Sequence, residues 1–159
     1  MEKEKIIRVK LEVKENNQIK NKFFRLKIAP STIPNAGMGV FAVDRLPAQA
    51  KGIYKGKVMP LDKGDPYYSW IVYDYDPVNG IPTSENKELY LLDAHNLSNS
   101  NWTRFVNCGL KDKYNNIDIQ QSFDQIYYIT KRPIRSGEEL FVDYGPDYRK
   151  FNLGMKGKY

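Results

Sequence analysis

The chain has 159 residues, of which 41% are apolar and 28% are charged, and its net charge is +6 from 25 lysines and arginines against 19 acidic residues. A chain of this length buries roughly 68–70% of its extended surface, so one compact domain is expected. No segment approaches the roughly 20 apolar residues that are needed to span a bilayer, which excludes a membrane-spanning protein.

The N-terminal sequence MEKEKIIRVK resembles neither a signal nor a transit peptide, so we expect an intracellular protein. One cysteine, Cys108, and one histidine, His95, are too few for a disulfide or a Cys/His zinc cluster, and no metal is expected. The residues around His95 do not resemble a nucleophile triad. Twelve tyrosines and the positive charge favour partner binding, although an AT-rich genome explains the charge equally well.

The first half of the chain reads as short strands between turns. Val9, Leu11 and Val13 alternate with charged residues, and Asn16-Asn17 supplies a turn, which together predict an N-terminal hairpin. The loop PSTIPNAGMG separates this hairpin from the apolar run VFAV, and IYKGKVM follows after LPAQAKG.

The second half continues the same pattern. YYSWIVYDY and ELYLLD predict strands on either side of the turn DPVNGIP, and NSNWTRFVNC is the one stretch with helical potential. IDIQQSF and QIYYITKRPI predict two strands around a turn near Phe123-Asp124. The C-terminal DYRKFNLGMKGKY reads as a short helix or tail, so the predicted class is mainly β with little helix.

Three segments together resemble a SET domain: NAGMGVFAV at 35–43, NWTRFVNCG at 101–109 and SGEELFVDYG at 136–145. GIYKGKV, YYSWIV and QIYYITKRPIRSGEEL narrow the resemblance to the PR/SET subfamily of protein-lysine methyltransferases, over about residues 23 to 150. The resemblance implies a β-clip fold of small twisted sheets with a C-terminal pseudoknot and few short helices. The size resembles that of the compact stand-alone viral and bacterial versions.

The same resemblance divides the chain into three parts. Residues 1–22 are expected to form an N-terminal β extension, 23–147 the PR/SET-like domain, and 148–159 a tail that closes the substrate channel.

The composition suits lysine methylation. Transfer from a sulfonium to an amine needs alignment and a neutral amine, and it needs no nucleophilic side chain. Tyrosine rings can line a channel for the lysine stem, and their hydroxyls can hold its nitrogen.

The resemblance implies S-adenosylmethionine as the cofactor and assigns residues to its binding. A Gly-x-Gly turn alone is common in proteins, so the assignment depends on the order of all the motifs. The cofactor-binding residues are Ala36, Gly37, Met38, Gly39, Tyr68, Asn107 and Cys108.

The resemblance also assigns catalysis and substrate binding. Tyr144, Tyr54 and Tyr128 match the family's active-site tyrosines, whereas Tyr127, on the opposite strand face, is expected to pack. A substrate peptide is expected to add as a strand along residues 65–71. The substrate-binding residues are Asp65, Tyr67, Tyr68, Ser69, Trp70, Ile71 and Tyr144.

The sequence thus predicts an S-adenosylmethionine-dependent lysine methyltransferase that acts on a histone tail, in the nucleus of its own or a host cell. A catalytically weak PR-type binding module and a methyltransferase of another basic protein are the alternatives. Nucleic-acid binding beyond nonspecific electrostatics is not expected, because lysines and arginines are scattered from Lys3 to Lys158 among acids. Its oligomeric state is left open.

Overall fold

The computed structural model describes residues 3–65 and 67–144, and within them the chain is mainly β, as the sequence predicts. The strands are β1 (Lys5–Glu15), β2 (Gln18–Pro30), β3 (Met38–Ala42), β4 (Lys51–Ile53), β5 (Lys57–Met59), β6 (Ser69–Tyr73), β7 (Glu88–Asp93), β8 (Asn107–Cys108), β9 (Ile117–Ser122), β10 (Gln125–Thr130) and β11 (Phe141–Val142). Three short 3₁₀ helices are Leu97–Asn99, Trp102–Phe105 and Asp112–Tyr114. No helix in the described ranges is long and apolar enough to cross a membrane. The tail 148–159 lies outside the described residues.

The N-terminal hairpin forms as the alternation predicts. β1 pairs with β2 in antiparallel register along its whole length. Asn16 and Asn17 have φ values of 50° and 63°, which a tight hairpin turn requires and which asparagine tolerates. One face of the hairpin is buried through Val9, Leu11, Val13, Leu26 and Ile28.

The C-terminal strand, β11, lies between two strands that precede it in the sequence, β8 and β9. The larger sheet has the strand order β3-β2-β1-β4-β10-β9-β11-β8, and the smaller sheet has the order β5-β7-β6. β11 pairs in parallel with β8 on one side and β9 on the other. Because β8 and β9 are connected by residues 109–116, β11 passes between two consecutive strands, as a C-terminal pseudoknot requires.

Asn116 fixes this insertion through its side chain. Its Oδ1 accepts from the Phe141 N–H at 2.8 Å, and its Nδ2 donates to the Glu139 carbonyl at 2.9 Å. The Asn116 N–H also donates to the Phe141 carbonyl at 2.9 Å, and the residue is fully buried. The amide therefore satisfies backbone groups of the C-terminal segment that would otherwise be buried without partners.

The chain divides into two compact units, and the division falls inside β4, β9 and β10. Of the described residues, the first unit holds 3–52, 105–118 and 129–144, and the second holds 53–65, 67–104 and 119–128. The first core includes Leu26, Val40, Leu46, Ile134, Leu140 and Val142, and the second includes Tyr54, Val72, Leu91, Ala94 and Tyr128.

Two local predictions need correction. The segment IYKGKVM holds only the last residue of β4 and all of β5, because residues 54–56 between them are not in a strand and Gly56 lies close to Asp93. A Cβ at Gly56 would lie 2.9 Å from the Asp93 backbone nitrogen. The stretch NSNWTRFVNC forms only short 3₁₀ helices and ends as β8, since its last residues pair with the distant β11.

Candidate active site

The loop between β2 and β3, in the first unit, carries the predicted residues Ala36 and Gly37. The Ser31 N–H donates to the Gly37 carbonyl at 2.8 Å, which closes the loop. Gly37 has a φ of 75°, and apart from its chain neighbours no atom of residues 3–65 and 67–144 lies within 4 Å of the place where a Cβ would be. The backbone at Gly37 therefore borders open space that a ligand can approach.

Glu139 holds this loop, and the sequence reasoning gave it no role. Its buried carboxylate accepts from the Ser31 hydroxyl at 2.7 Å, and from the Thr32 N–H and hydroxyl at 2.8 and 2.7 Å. A Cβ at Gly39 would lie 2.3 Å from Glu139 Oε2, so this position needs glycine for close approach. The sequence feature that could have indicated this role is the second glutamate of SGEEL, which is Glu139.

Asn107 joins the predicted cofactor residues that lie far apart in the sequence. Its Nδ2 donates to the Met38 carbonyl at 3.0 Å, and Asn107 is 8% exposed. This bond fixes the orientation of the amide and leaves Oδ1 as its acceptor.

Tyr144 lies beside the same residues. Its N–H donates to Cys108 Sγ at 3.5 Å, and its hydroxyl donates to the Val106 carbonyl at 2.7 Å. Cys108 is buried, which is consistent with a packing role and not with a nucleophile. The first unit thus brings Met38, Asn107, Cys108 and Tyr144 into one connected cluster.

Among the described residues, one buried amide nitrogen near this cluster, Asn115 Nδ2, has no hydrogen-bond partner. Asn115 Oδ1 accepts from the Gly109 N–H at 2.9 Å, but Asn115 Nδ2 has no partner among residues 3–65 and 67–144. An unsatisfied buried donor is rare in proteins and suits a site that receives a polar ligand. The open space at Gly37 and the oriented Asn107 amide are likewise compatible with S-adenosylmethionine.

The second unit contains an aromatic cluster of Tyr54, Trp70 and Tyr128. The Tyr54 and Tyr128 ring centroids are 5.4 Å apart, and Trp70 meets both rings edge-on at 6.4 and 6.2 Å. Trp70 Nε1 donates to the Tyr128 hydroxyl at 2.9 Å, and the Tyr54 hydroxyl donates to the Tyr68 carbonyl. Tyr127, by contrast, is half-buried, and its hydroxyl donates a hydrogen bond to Gln125 Oε1. Tyr54 and Tyr128 are both buried, and hydrogen bonds orient their hydroxyls.

Burial raises the pKa of Tyr54 well above its ordinary value, because the phenolate would lose its hydration, and the nearby Asp93 carboxylate raises it further. Tyr54 is therefore a neutral hydroxyl at any working pH.

Asp93 organises the segment in which substrate binding is predicted. Its carboxylate accepts from the Asp65 N–H and the His95 N–H, each at 2.7 Å. Asp65 in turn accepts from the Tyr67 N–H at 2.8 Å and contacts His95 Nδ1 at 2.6 Å. The His95 side chain is largely exposed and paired with a carboxylate, with no nucleophile in this arrangement.

Tyr68 is held by its backbone and its ring. Its carbonyl accepts from the Ala94 N–H at 2.8 Å, and the Arg104 guanidinium lies 4.5 Å from its ring centroid. Tyr68 thus lies in the second unit, whereas the other predicted cofactor residues lie in the first.

Ser69, Trp70 and Ile71 lie on β6, which is an edge strand of the smaller sheet. Gln121 caps the far end of this edge, because its side-chain amide bonds both the N–H and the carbonyl of Tyr73. An edge strand of this kind can accept an added peptide strand. No group of three metal-ligating side chains suited to a metal ion occurs within residues 3–65 and 67–144.

Comparison with known proteins gives a consistent set of relatives. The family model of the PR domain of PR domain zinc finger protein 2 matches residues 26–154. The human histone-lysine N-methyltransferase PRDM7 is 34% identical over 135 residues, which is 82% of this chain and 25% of that protein. The Caenorhabditis elegans histone-lysine N-methyltransferase set-17 is 32% identical over 126 residues, 77% of this chain and 41% of that protein. The matched part of the chain therefore spans 25% and 41% of the length of these two curated relatives.

Solved structures agree on the fold. The methyltransferase domain of human PR domain-containing protein 2 aligns with a TM-score of 0.61 at 28% identity, covering 77% of this chain and 78% of that one. The SET domain of the RIZ1 tumor suppressor aligns with a TM-score of 0.59 at 26% identity, covering 84% and 77% of the two chains. The predicted fold class is confirmed.

Proposed function

The chain belongs to the PR domain family, whose domains are SET-like, and on that premise we propose that it transfers a methyl group from S-adenosylmethionine to a protein lysine. The observation that supports this most is the cluster of Met38, Asn107, Cys108 and Tyr144 in the first unit. These residues come from three distant segments, and a cofactor-binding role explains why they meet.

The proposed substrate is a histone tail, because two relatives that cover most of this chain are named histone-lysine N-methyltransferases. With that substrate the protein acts in the nucleus, of its own or a host cell.

The reaction is a displacement in which the lysine nitrogen forms a bond to the methyl carbon while the carbon–sulfur bond breaks and its electron pair stays on sulfur. When bound, S-adenosylmethionine supplies this methyl group on a positively charged sulfonium. The Asn107 amide, oriented by the Met38 carbonyl, would bind the cofactor together with the backbone at Ala36 and Gly37. The Tyr144 hydroxyl, oriented by the Val106 carbonyl, would hold the incoming amine in line.

The second unit would supply the substrate contacts. Within the second unit, Tyr54 and Tyr128 are the proposed contacts for a substrate side chain, and the β6 edge would pair with a peptide backbone. Asp65, held by Asp93 and His95, would attract a basic peptide.

The cofactor assignment is tested by calorimetric titration with S-adenosylmethionine, for which we expect one equivalent bound per chain. Asn107→Ala removes the oriented amide and should abolish the measurable heat of cofactor binding. The thermal unfolding of this variant should remain cooperative. Asn21→Ala, the same change at an exposed position of β2, should bind like the parent chain. Absence of heat and of a thermal shift with the parent chain would exclude the cofactor assignment.

The turnover rate should increase with pH as a single ionisation and should not fall again at higher pH. The lysine amine has an unperturbed pKa near 10.4, so its reactive neutral form increases with pH. Deprotonation of Tyr54 does not lower the turnover rate at high pH, because burial raises the pKa of this side chain and it stays protonated. His95→Ala should leave the shape of the profile unchanged in initial-rate assays, and loss of the rising limb in that variant would contradict a mechanism without a histidine base.

A further inference from the structure

The hairpin register gathers cations on one exposed sheet face. Lys10 lies opposite Phe23, Arg8 opposite Arg25, and Ile6 opposite Lys27, so these side chains project to the same side of the sheet. The buried residues Val9, Leu11, Val13, Leu26 and Ile28 project to the other side. We call the exposed side the basic face, defined by Arg8, Lys10, Lys14, Arg25 and Lys27.

Most of this charge has no carboxylate partner. Arg25 pairs with Asp44 at 2.8 Å. In residues 3–65 and 67–144, no carboxylate forms an ion pair with Arg8, Lys10, Lys14 or Lys27. Arg8 and Arg25 are directly opposite each other, an arrangement of like charges that destabilises a sheet. The basic face therefore has an excess of positive charge that an external anion would neutralise.

Two aromatic rings, the exposed Phe23 and the half-buried Phe41, lie against these cations. The Arg8 guanidinium carbon lies 3.8 Å from the centroid of Phe23, and Lys10 Nζ lies 5.7 Å from it. Lys27 Nζ lies 5.7 Å from the centroid of Phe41 on the adjacent strand β3. Phe23 is 52% exposed although it is a large apolar residue. Cations held over rings lose less conformational freedom when they bind a ligand.

We propose that the basic face binds the phosphate backbone of double-stranded DNA, independently of base sequence. Duplex DNA carries about one negative charge per 1.7 Å of its axis, which matches a face where five cations outnumber two acids, Glu12 on the same side of β1 and Asp44 beside Arg25. Because cations already lie over the rings of Phe23 and Phe41, the face favours phosphate contacts over base stacking. The proposal does not depend on the proposed methyl transfer, since no residue of the basic face belongs to the catalytic or cofactor sets.

The sequence predicts no nucleic-acid binding beyond nonspecific electrostatics, because its cations are scattered along the chain; the structure gathers some of them on one face. Antiparallel pairing of β1 with β2 brings cations that are up to nineteen positions apart in the sequence, Arg8 and Lys27, onto one surface. Clustering of this kind is what distinguishes a binding surface from general positive charge.

The test is fluorescence anisotropy of a labelled duplex of about 20 base pairs, titrated at several salt concentrations between about 50 and 200 mM. The variant Arg8→Ala/Lys10→Ala/Lys27→Ala is compared with Lys87→Ala/Lys111→Ala/Lys131→Ala, which loses the same charge from exposed positions elsewhere. We expect the first variant to bind at least about tenfold more weakly, with a log–log salt slope lower by about 2 to 3, and the control to bind within about threefold of the parent chain.

Equal losses in the two variants, or no binding by the parent chain, would overturn the proposal. Tighter binding to single-stranded DNA, polyglutamate or phosphatidylserine vesicles than to the duplex would also overturn it. A second measurement needs no variant: acetylation of the parent chain should be suppressed by DNA at Lys10, Lys14 and Lys27 more than at Lys87, Lys111 and Lys131. Uniform protection of both groups would contradict a defined face.

Discussion

Replacement of Tyr144 by phenylalanine is expected to lower turnover by about 100-fold or more, which is the effect of removing one well-oriented hydrogen-bonding group from a reacting centre. The hydroxyl donates to the Val106 carbonyl at 2.7 Å, so its orientation is fixed before substrate binds. The substitution removes one oxygen and little volume, and its cost in stability should be about 1 kcal/mol.

Initial rates and cofactor titration on the same protein separate the possible roles of Tyr144. If its hydroxyl acts mainly in the transition state, turnover falls far more than cofactor affinity. Tyr114→Phe is the matched control, since it removes a hydroxyl from an exposed tyrosine of the same unit and should leave turnover unchanged. Equal losses of turnover and cofactor binding in Tyr144→Phe would indicate a packing role instead.

Replacement of Glu139 by alanine should have the largest effect on stability, lowering the free energy of unfolding by about 3 kcal/mol or more. The buried carboxylate accepts three hydrogen bonds, from the half-buried Ser31 and the exposed Thr32, and the substitution removes all three. Because those residues begin the loop that contains Ala36 and Gly37, cofactor affinity should fall as well.

The adjacent Glu138 provides the control. Its carboxylate is at the surface, paired with Arg132 and Arg135, and Glu138→Ala should cost at most about 1 kcal/mol. Glu139→Gln, which keeps the volume and one acceptor oxygen, should fall between the two in urea unfolding. Similar costs for Glu138→Ala and Glu139→Ala would show that the buried network does not hold the loop.

Local sequence patterns were sufficient for most strands. The alternation around Val9 and the Asn16-Asn17 turn predicted the hairpin, because both are properties of neighbouring residues. The insertion of β11 between β8 and β9 cannot be predicted in this way. It depends on pairing between distant segments and on Asn116, whose side chain substitutes for a strand partner.

The same distinction between local sequence patterns and contacts of distant segments applies to the candidate site. The motifs identified Met38, Asn107, Cys108 and Tyr144, and the structure brings them together through contacts among distant segments. Glu139 and Asp93 were missed because their function is to accept backbone and hydroxyl hydrogen bonds from other segments. A buried carboxylate cannot be distinguished from a surface one when only its sequence neighbours are known.

The basic face was missed for a further reason. The charges of Arg8, Lys10, Arg25 and Lys27 are evident in the sequence, but their common surface depends on the register of β1 with β2. A shift of that register by one residue would move the cations of one strand to the buried side.

The most direct test of the central claim is methyl transfer from S-adenosylmethionine carrying a labelled methyl group to a panel of histones and histone-tail peptides, followed by mass spectrometry of the products. We predict label on a lysine side chain, at a rate that Tyr144→Phe reduces by about 100-fold and Tyr114→Phe does not change. No label on any lysine, from a folded chain that binds the cofactor, would contradict the proposed activity and indicate a protein-binding module that lacks methyltransferase activity.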